Sequence, residues 1–312
     1  MWIALIVLAV VVLCLGLFLY TPDKPRAALE ALYAEPPSQF VEAAGMRLHV
    51  RDTGPRDAPA LLLLHGFGAN LHTWGALAAR LDGEYRVIRM DLPGFGLTGP
   101  DPGRDYSDAR SHAVLMALMD RLGVTRAVVA GHSMGGRIAW TLAALHPERV
   151  ERLVLLAPDG FASPGFTYGI APKVSLLLRL LPYVMPTFLL RASLAPAYAN
   201  PAMVTDALVQ RYRDMLLAPG VRGAILDRTA QAVLVDPIPL LQRIVTPVLL
   251  LWGREDRMIP VRNADDYLAA LPNARLMTLP GTGHVLHEEA ADQTAEAIRN
   301  FLTGKSHIQP NR

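Results

Sequence analysis

What most constrains this chain is an alternation. Short apolar runs at 60–65, 85–91, 126–131, 151–157, 246–252 and 275–280 alternate with helical periods at 73–81, 107–122, 134–146, 262–271 and 287–302. Short apolar runs bounded by glycines and turn residues suit strands buried on both faces. Strands that alternate with helices fold into a mainly parallel sheet covered on both sides. Two alternating segments, 39–44 and 46–52, turned at Gly45, add a hairpin ahead of this series. The expected sheet therefore has eight strands. One stretch breaks the pattern. Between about 159 and 236 no parallel-strand run occurs, and apolar helical stretches at 174–181, 183–194, 203–217 and 221–235 are cut by prolines. An insertion placed there reads as a helical cap over the sheet's C-terminal edge, where open α/β sheets bind ligands.

The N-terminus carries the second strong signal. Residues 1–20 contain no charged side chain, and about 20 apolar residues is the length a helix needs to cross a bilayer core. A cleaved signal peptide usually has a charged start, a shorter apolar run and a small-residue cleavage site. This run lacks Lys and Arg ahead of it, and Cys14 lies between Leu13 and Leu15, a poor setting for lipid attachment. The expectation is an uncleaved single-pass anchor, with Trp2 and Tyr20 at its two ends as interfacial aromatics. Lys24 and Arg26 follow the run while only the α-amino group precedes it, a weak bias toward a cytoplasmic catalytic domain. An anchor helix could pair with its copy as a homodimer, although Gly16 is the run's only glycine and no G-x-x-x-G face exists. The expected organisation is an anchor at 1–20, a juxtamembrane segment at 21–38, a core at 39–158 and 237–304, a cap at 159–236 and a tail at 305–312.

Composition excludes several functions. The formal net charge is +2 without a concentrated basic run, so a nucleic-acid surface is not expected. Cys14 is the single cysteine, which leaves the rest of the chain without a disulfide framework, a zinc site or a thiol nucleophile. No H-E-x-x-H is present, and Gly94-x-Gly96 lacks the third glycine of a dinucleotide loop. No cofactor or metal is expected.

The chemistry is carried by Gly131-His132-Ser133-Met134-Gly135, followed by Gly136. It comes directly after the 126–130 run and directly before a helical period, the context a G-x-S-x-G nucleophile elbow requires. The chain resembles the α/β-hydrolase family over about 39–302, and several motifs fall in that family's order. His65-Gly66-Phe67-Gly68, with Trp74 downstream, resembles the oxyanion loop after the third strand; Asp91-Leu92-Pro93-Gly94-Phe95-Gly96 resembles the loop after the fourth. Trp252-Gly253-Arg254-Glu255-Asp256 ends a strand where the family carries its triad acid, and Gly281-Thr282-Gly283-His284 stands where it carries its histidine.

The resemblance implies an α/β-hydrolase fold and a set of roles. Ser133 would be the nucleophile, His284 its base and Asp256 the holder of the imidazole. The backbone N–H groups of Met134 and Phe67 would form the oxyanion hole. Against these stand His287, on the opening turn of the next helix, and Glu255, aimed elsewhere in its turn. Asp265 and Asp266 read as a solvated helix face, His65 and His132 as structural or packing residues, and Asp91 and Arg137 as structural. The whole arrangement is similar to bacterial membrane-anchored lipases and phospholipases A, which implies a lipid-like ester substrate and an inner-membrane enzyme; the face, periplasmic or cytoplasmic, stays open, with the resemblance leaning to the periplasm. The apolar cap, rich in Leu, Met and Phe, fits an acyl pocket or a surface resting on a bilayer. Two alternatives remain: a carbon–carbon hydrolase of the meta-cleavage product type, whose histidine is commonly followed by Trp where this chain has Val285, and a non-catalytic membrane-tethered binding protein.

Overall fold

A computed structural model describes residues 2–162 and 167–305, apart from the side chains of 4, 8, 9 and 11–15 within the first helix. The side chain of Cys14 and most of the 305–312 tail thus lie outside the described residues. The strands are β1 (Ser38–Ala43), β2 (Met46–Thr53), β3 (Ala60–Leu64), β4 (Arg86–Met90), β5 (Ala127–His132), β6 (Val150–Leu156), β7 (Val248–Gly253) and β8 (Ala274–Leu279). The helices are α1 (Trp2–Leu19), α2 (Arg26–Tyr33), α3 (Gly75–Leu81), α4 (Asp108–Arg121), α5 (Met134–Leu145), α6 (Thr187–Leu194), α7 (Asp206–Leu216), α8 (Val221–Gln231), α9 (Ile238–Leu241), α10 (Asn263–Ala270), α11 (Leu286–Glu289) and α12 (Ala291–Thr303).

The eight strands form one sheet in the order β1-β2-β4-β3-β5-β6-β7-β8. Pairings β1–β2 and β2–β4 are antiparallel; all others are parallel. The central strands are apolar on both faces because both are covered. Leu62 and Leu64 of β3 join the cluster beneath α4, α5 and the cap, while Leu61 and Leu63 join the cluster beneath α3 and α12. This period of two divides one apolar run between two cores.

Strand order also places the crevice. From β3 the chain proceeds outward to β4, then returns to lay β5 on the other side of β3, with Leu64 opposite Gly131. The loops leaving β3 and β5 therefore diverge at a topological switch point, where such sheets open a ligand cleft.

The 159–236 insertion contains no strand among its described residues, and α6, α7 and α8 lie in it. Thr205 caps α7 by accepting the Leu208 N–H at 3.2 Å. The helix expected at 174–181 is a correction: only a 3-10 turn forms, at Leu178–Leu180. Pro172 and Pro182 confine it to fewer residues than an isolated helix needs, and Leu176 and Leu177 lie exposed, so no packing offsets the nucleation cost.

At the N-terminus Trp2–Leu19 forms a helix of 18 residues, roughly 27 Å long at about 1.5 Å per residue. Among the described residues no helix is long and apolar enough to cross a membrane. The segment after α1 is fastened to the cap: the Thr21 N–H donates to Tyr183 O at 2.8 Å, Lys24 pairs with Asp214 at 2.6 Å, and Asp23 pairs with Arg222 at 2.7 Å.

Candidate active site

Ser133 occupies the single residue between β5 and α5. Its φ is 51° and its ψ −119°, a left-handed conformation that costs a non-glycine residue about 1–3 kcal/mol. The strain is held from both sides. The Ser133 N–H donates to Leu156 O at 3.0 Å, and its carbonyl accepts the Asp159 N–H at 3.0 Å. Gly135 makes the turn possible, since a Cβ there would lie 2.2 Å from Leu64 O. Ser133 keeps partial exposure while its neighbours are buried.

Asp256 and His284 meet across the ends of β7 and β8. Asp256 Oδ2 lies 2.7 Å from His284 Nδ1, and Asp256 Oδ1 accepts the N–H groups of Met258 at 2.8 Å and Ile259 at 2.9 Å. A carboxylate only accepts, so Nδ1 carries the proton and the Nε2 lone pair is left free to act as a base. Glu255 accepts the Thr282 N–H at 3.0 Å and bolts the two loops together without reaching the imidazole. His287 is fully buried, with its ring 4.2 Å from Trp74 and 4.6 Å from His132. Burial, and then His284, drives its pKa down to about 3. It stays neutral beside His284.

His132 brings the elbow and the histidine together. Its ring centroid lies 4.6 Å from that of His284, and its Nε2–H donates to the His284 carbonyl at 3.0 Å. Burial pushes its pKa well below the usual value. An imidazolium formed on His284 therefore meets two neutral rings instead of two further cations.

The loop after β3 packs on the elbow, with a Cβ at Gly66 reaching 3.3 Å from Ser133 Cβ. His65 orders this loop. Its Nε2 accepts the Leu92 N–H at 2.9 Å, so Nδ1 carries the proton and donates to Gly66 O at 2.8 Å. Burial lowers the His65 pKa to about 4, which keeps that arrangement neutral. Asp91 supports the same loop by accepting the Leu71 N–H at 2.7 Å. The Met134 N–H begins α5 and has no partner in the helix. The Phe67 N–H sits in a turn closed by Ala69 N–H donating to Gly66 O. Both are backbone donors on the loops that flank Ser133.

Three participants escaped the sequence reading. Asp159 stands beside the elbow at 3.7 Å from Arg137, and burial raises its carboxyl. Ala197 of the cap accepts the His284 N–H at 2.8 Å. Glu289 accepts the Gly283 N–H at 2.9 Å. Only Glu289 left a trace in sequence, as an acid about one helical turn past the histidine. Among the described residues no group of three or more His, Cys, Asp or Glu side chains converges as a metal ion requires.

The family model for the alpha/beta hydrolase fold matches residues 59–291. The chain is 36% identical over 262 residues to the magnesium-chelatase 30 kDa subunit of Rhodobacter capsulatus, covering 82% of this chain and 90% of that one. It is 30% identical over 270 residues to a 2-hydroxy-6-oxononadienedioate/2-hydroxy-6-oxononatrienedioate hydrolase of Comamonas testosteroni, covering 83% and 92%. Among solved structures it matches a membrane phospholipase A, a bacterial virulence factor, with TM-score 0.73 and 27% identity, covering 97% of this chain and 96% of that one.

Proposed function

The chain belongs to the α/β-hydrolase fold family, and from that premise we propose that it is a serine carboxylic ester hydrolase acting on lipid-like esters at a membrane. One observation carries the reading: a strained serine at the head of α5, whose neighbour His132 packs its ring against an imidazole hydrogen-bonded through Nδ1 to Asp256.

In this mechanism His284 Nε2 takes the proton of Ser133 Oγ as the oxygen attacks the ester carbonyl carbon. Asp256 stabilises the imidazolium that results. The tetrahedral oxyanion lies between the N–H groups of Phe67 and Met134, each worth about 2.7–4 kcal/mol in comparable sites. Collapse breaks the ester C–O bond, and His284 gives its proton to the departing alkoxide. Water, deprotonated by the same nitrogen, then releases the acid from Ser133.

The lipid-like substrate rests on the cap. No acidic residue lies between Asp159 and Asp206, a stretch that carries Lys173, Arg179 and Arg191. Leu176, Leu177, Tyr183 and Phe188 are each more than half exposed there. An apolar, cationic face suits contact with anionic lipid. α1 would hold the enzyme at the bilayer. It is uncharged, and the matched membrane phospholipase A leaves too little of this chain uncovered to omit α1 altogether.

A second reading is carbon–carbon bond hydrolysis, favoured by the 30% identity to the Comamonas testosteroni hydrolase. An acyl-chain series of esters, phospholipids in mixed micelles and a meta-cleavage product separate the two. Activity that rises with chain length and vanishes in Ser133→Ala supports the lipid esterase. Turnover of the meta-cleavage product alone, with a phosphonate probe still labelling Ser133, moves the carbon–carbon reading to first place. No labelling of Ser133 would return the chain to a non-catalytic binding role.

A further inference from the structure

The candidate base is held by more than its aspartate. The His284 carbonyl is fixed by His132, while the His284 and Val285 N–H groups both donate to Ala197 O, at 2.8 and 3.3 Å. Ala197 belongs to a cap turn, Ala195–Ala197, that immediately follows α6. The base is thus seated directly against the cap.

Glu289 ties the same two segments a second time. One carboxylate oxygen accepts the Gly283 N–H at 2.9 Å, and the other accepts the Ala199 N–H at 2.9 Å. A single side chain therefore cross-links the residue before the base to the cap turn behind it. The packing leaves no slack. A Cβ on Gly283 would lie 2.6 Å from Ala197 O, 2.7 Å from Ala199 N and 2.9 Å from Glu289 Oε1.

The neighbouring acid shows what is unusual here. Glu288 is paired with one cation and one hydroxyl of α7, Arg211 at 2.7 Å and Tyr212 at 3.1 Å. Glu289 has no Lys or Arg in salt-bridge reach among the described residues. Its bonds are all to main-chain N–H groups, and burial raises its carboxyl above the usual range. An acid that served only to clip the cap to the core would gain more from a cation, as Glu288 does. Directing both oxygens at backbone donors fixes the paths of two loops relative to each other, which is what alignment of a base requires.

We propose that Glu289 is a positioning residue: it locks the cap turn 195–199 to the loop 281–285, so that His284 is aligned only while the cap is seated. Cap seating and base alignment become one event. The inference rests on the serine-hydrolase reading of Ser133, Asp256 and His284 and is independent of the lipid substrate.

The test compares Glu289→Gln, Gly283→Ala and Glu288→Gln with the wild type in the full chain. Three readouts are taken: turnover of a soluble short-chain p-nitrophenyl ester, the rate of Ser133 labelling by a fluorophosphonate, and the downfield proton resonance of the His284–Asp256 hydrogen bond. Glu289→Gln turns an amide donor onto a backbone N–H, and Gly283→Ala wedges the same contact from the other side. Both are expected to lower kcat and the labelling rate by roughly 10- to 100-fold with KM within about twofold, and to shift or broaden the downfield proton. Glu288→Gln should keep kcat within about twofold even where it lowers the melting temperature. A Glu289→Gln enzyme that turns over and labels like the wild type, or loses no more than Glu288→Gln at equal folded fraction, overturns the proposal. If Glu289→Gln does not fold, Gly283→Ala carries the same criteria. If the wild type neither turns over nor labels, the serine-hydrolase reading has failed instead, and the proton resonance alone decides: an unchanged signal in Glu289→Gln overturns the positioning role.

Discussion

Two Ser–His–Asp sets are built into this molecule. Ser133, His284 and Asp256 stand at the C-terminal edge of the sheet. Ser38, His49 and Asp91 stand where β1, β2 and the loop after β4 meet. By its hydrogen bonds the second set looks the more complete: His49 Nδ1 lies 2.8 Å from Asp91 Oδ2, and His49 Nε2 lies 3.0 Å from Ser38 Oγ. In both sets the aspartate also accepts two backbone N–H groups, from Met258 and Ile259 at Asp256 and from Leu71 and Leu97 at Asp91.

The difference lies around the serine. Ser38 begins an antiparallel edge strand, and its hydroxyl oxygen also accepts from Arg51 Nε at 2.8 Å. His49 is completely buried behind it. A hydroxyl so engaged has no free approach to a carbonyl carbon, and Ser38 heads a strand, not a helix whose first N–H groups could receive an oxyanion. Ser133 sits in a strained turn, partly exposed, with α5 opening at its back. A Ser–His–Asp chain of hydrogen bonds is a way to fasten two strands and a loop. Strain, access and open donors are what a reacting serine needs, and only the Ser133 set has them together.

Substitution should separate the two sets most sharply at the serines. Ser133→Ala is expected to lower kcat by roughly 10,000-fold or more and leave the fold intact. Ser38→Ala should keep activity within about twofold and lower stability by about 1–2 kcal/mol, through the unpartnered His49 and Arg51. An active Ser133→Ala enzyme, or an inactive but folded Ser38→Ala one, would break the comparison. Parallel ester kinetics and urea unfolding of the two variants read it.

The aspartates come next. Asp256→Asn should cost roughly 10,000-fold in kcat with little change in melting temperature, because the amide favours the wrong His284 tautomer. Asp91→Ala should cost about 3–5 kcal/mol in denaturant unfolding, since three N–H or imidazole donors lose their acceptor inside the core. A stable Asp91→Ala protein would show that this network is dispensable.

The remaining contrast is in acid. Burial alone would push the Asp91 carboxyl up, but His49, His65 and His72 around it outweigh that and hold it at about 2, against 3.8 unfolded. A lowered folded pKa gives stability that is present above pH 4 and lost as pH falls toward 2, about 2 kcal/mol in all. His65 is held at about 4, and His72 and His287 at about 3, in each case first by burial. The unfolded chain takes up those protons near pH 6.5, so their contribution falls earlier, from about pH 6.5 downward. Urea midpoints measured from pH 7 to 3 should drop first through the histidines and last through Asp91. His287→Phe should flatten the first limb and leave the second in place; an unchanged first limb would remove His287 from the account.

The site is unevenly written in the sequence. The elbow is local: a strand, a glycine-flanked serine and a helix are contiguous, so Ser133 and its strained turn can be read directly. The loops after β3, β7 and β8 were readable as positions in a familiar order. Glu289, Ala197 and the Ser38–His49–Asp91 set were not, because their meaning lies in contacts between segments far apart in the chain. The helix expected at 174–181 failed for a related reason: helical spacing predicts a face, but a short helix persists only if something covers that face.

By itself the sequence determined the alternation of strands and helices, the eight-stranded sheet that results from it, the insertion before β7 and the identity of Ser133 as the residue on the turn. These depend on periodicity and on neighbours within a few residues. Only the tertiary structure decided that Asp256 and not Glu255 faces the imidazole, that His284 and not His287 receives it, and that the cap turn rests against His284. The direction of a side chain in a turn is set by what packs against the turn, and in this protein that packing comes from the other end of the sheet and from the cap.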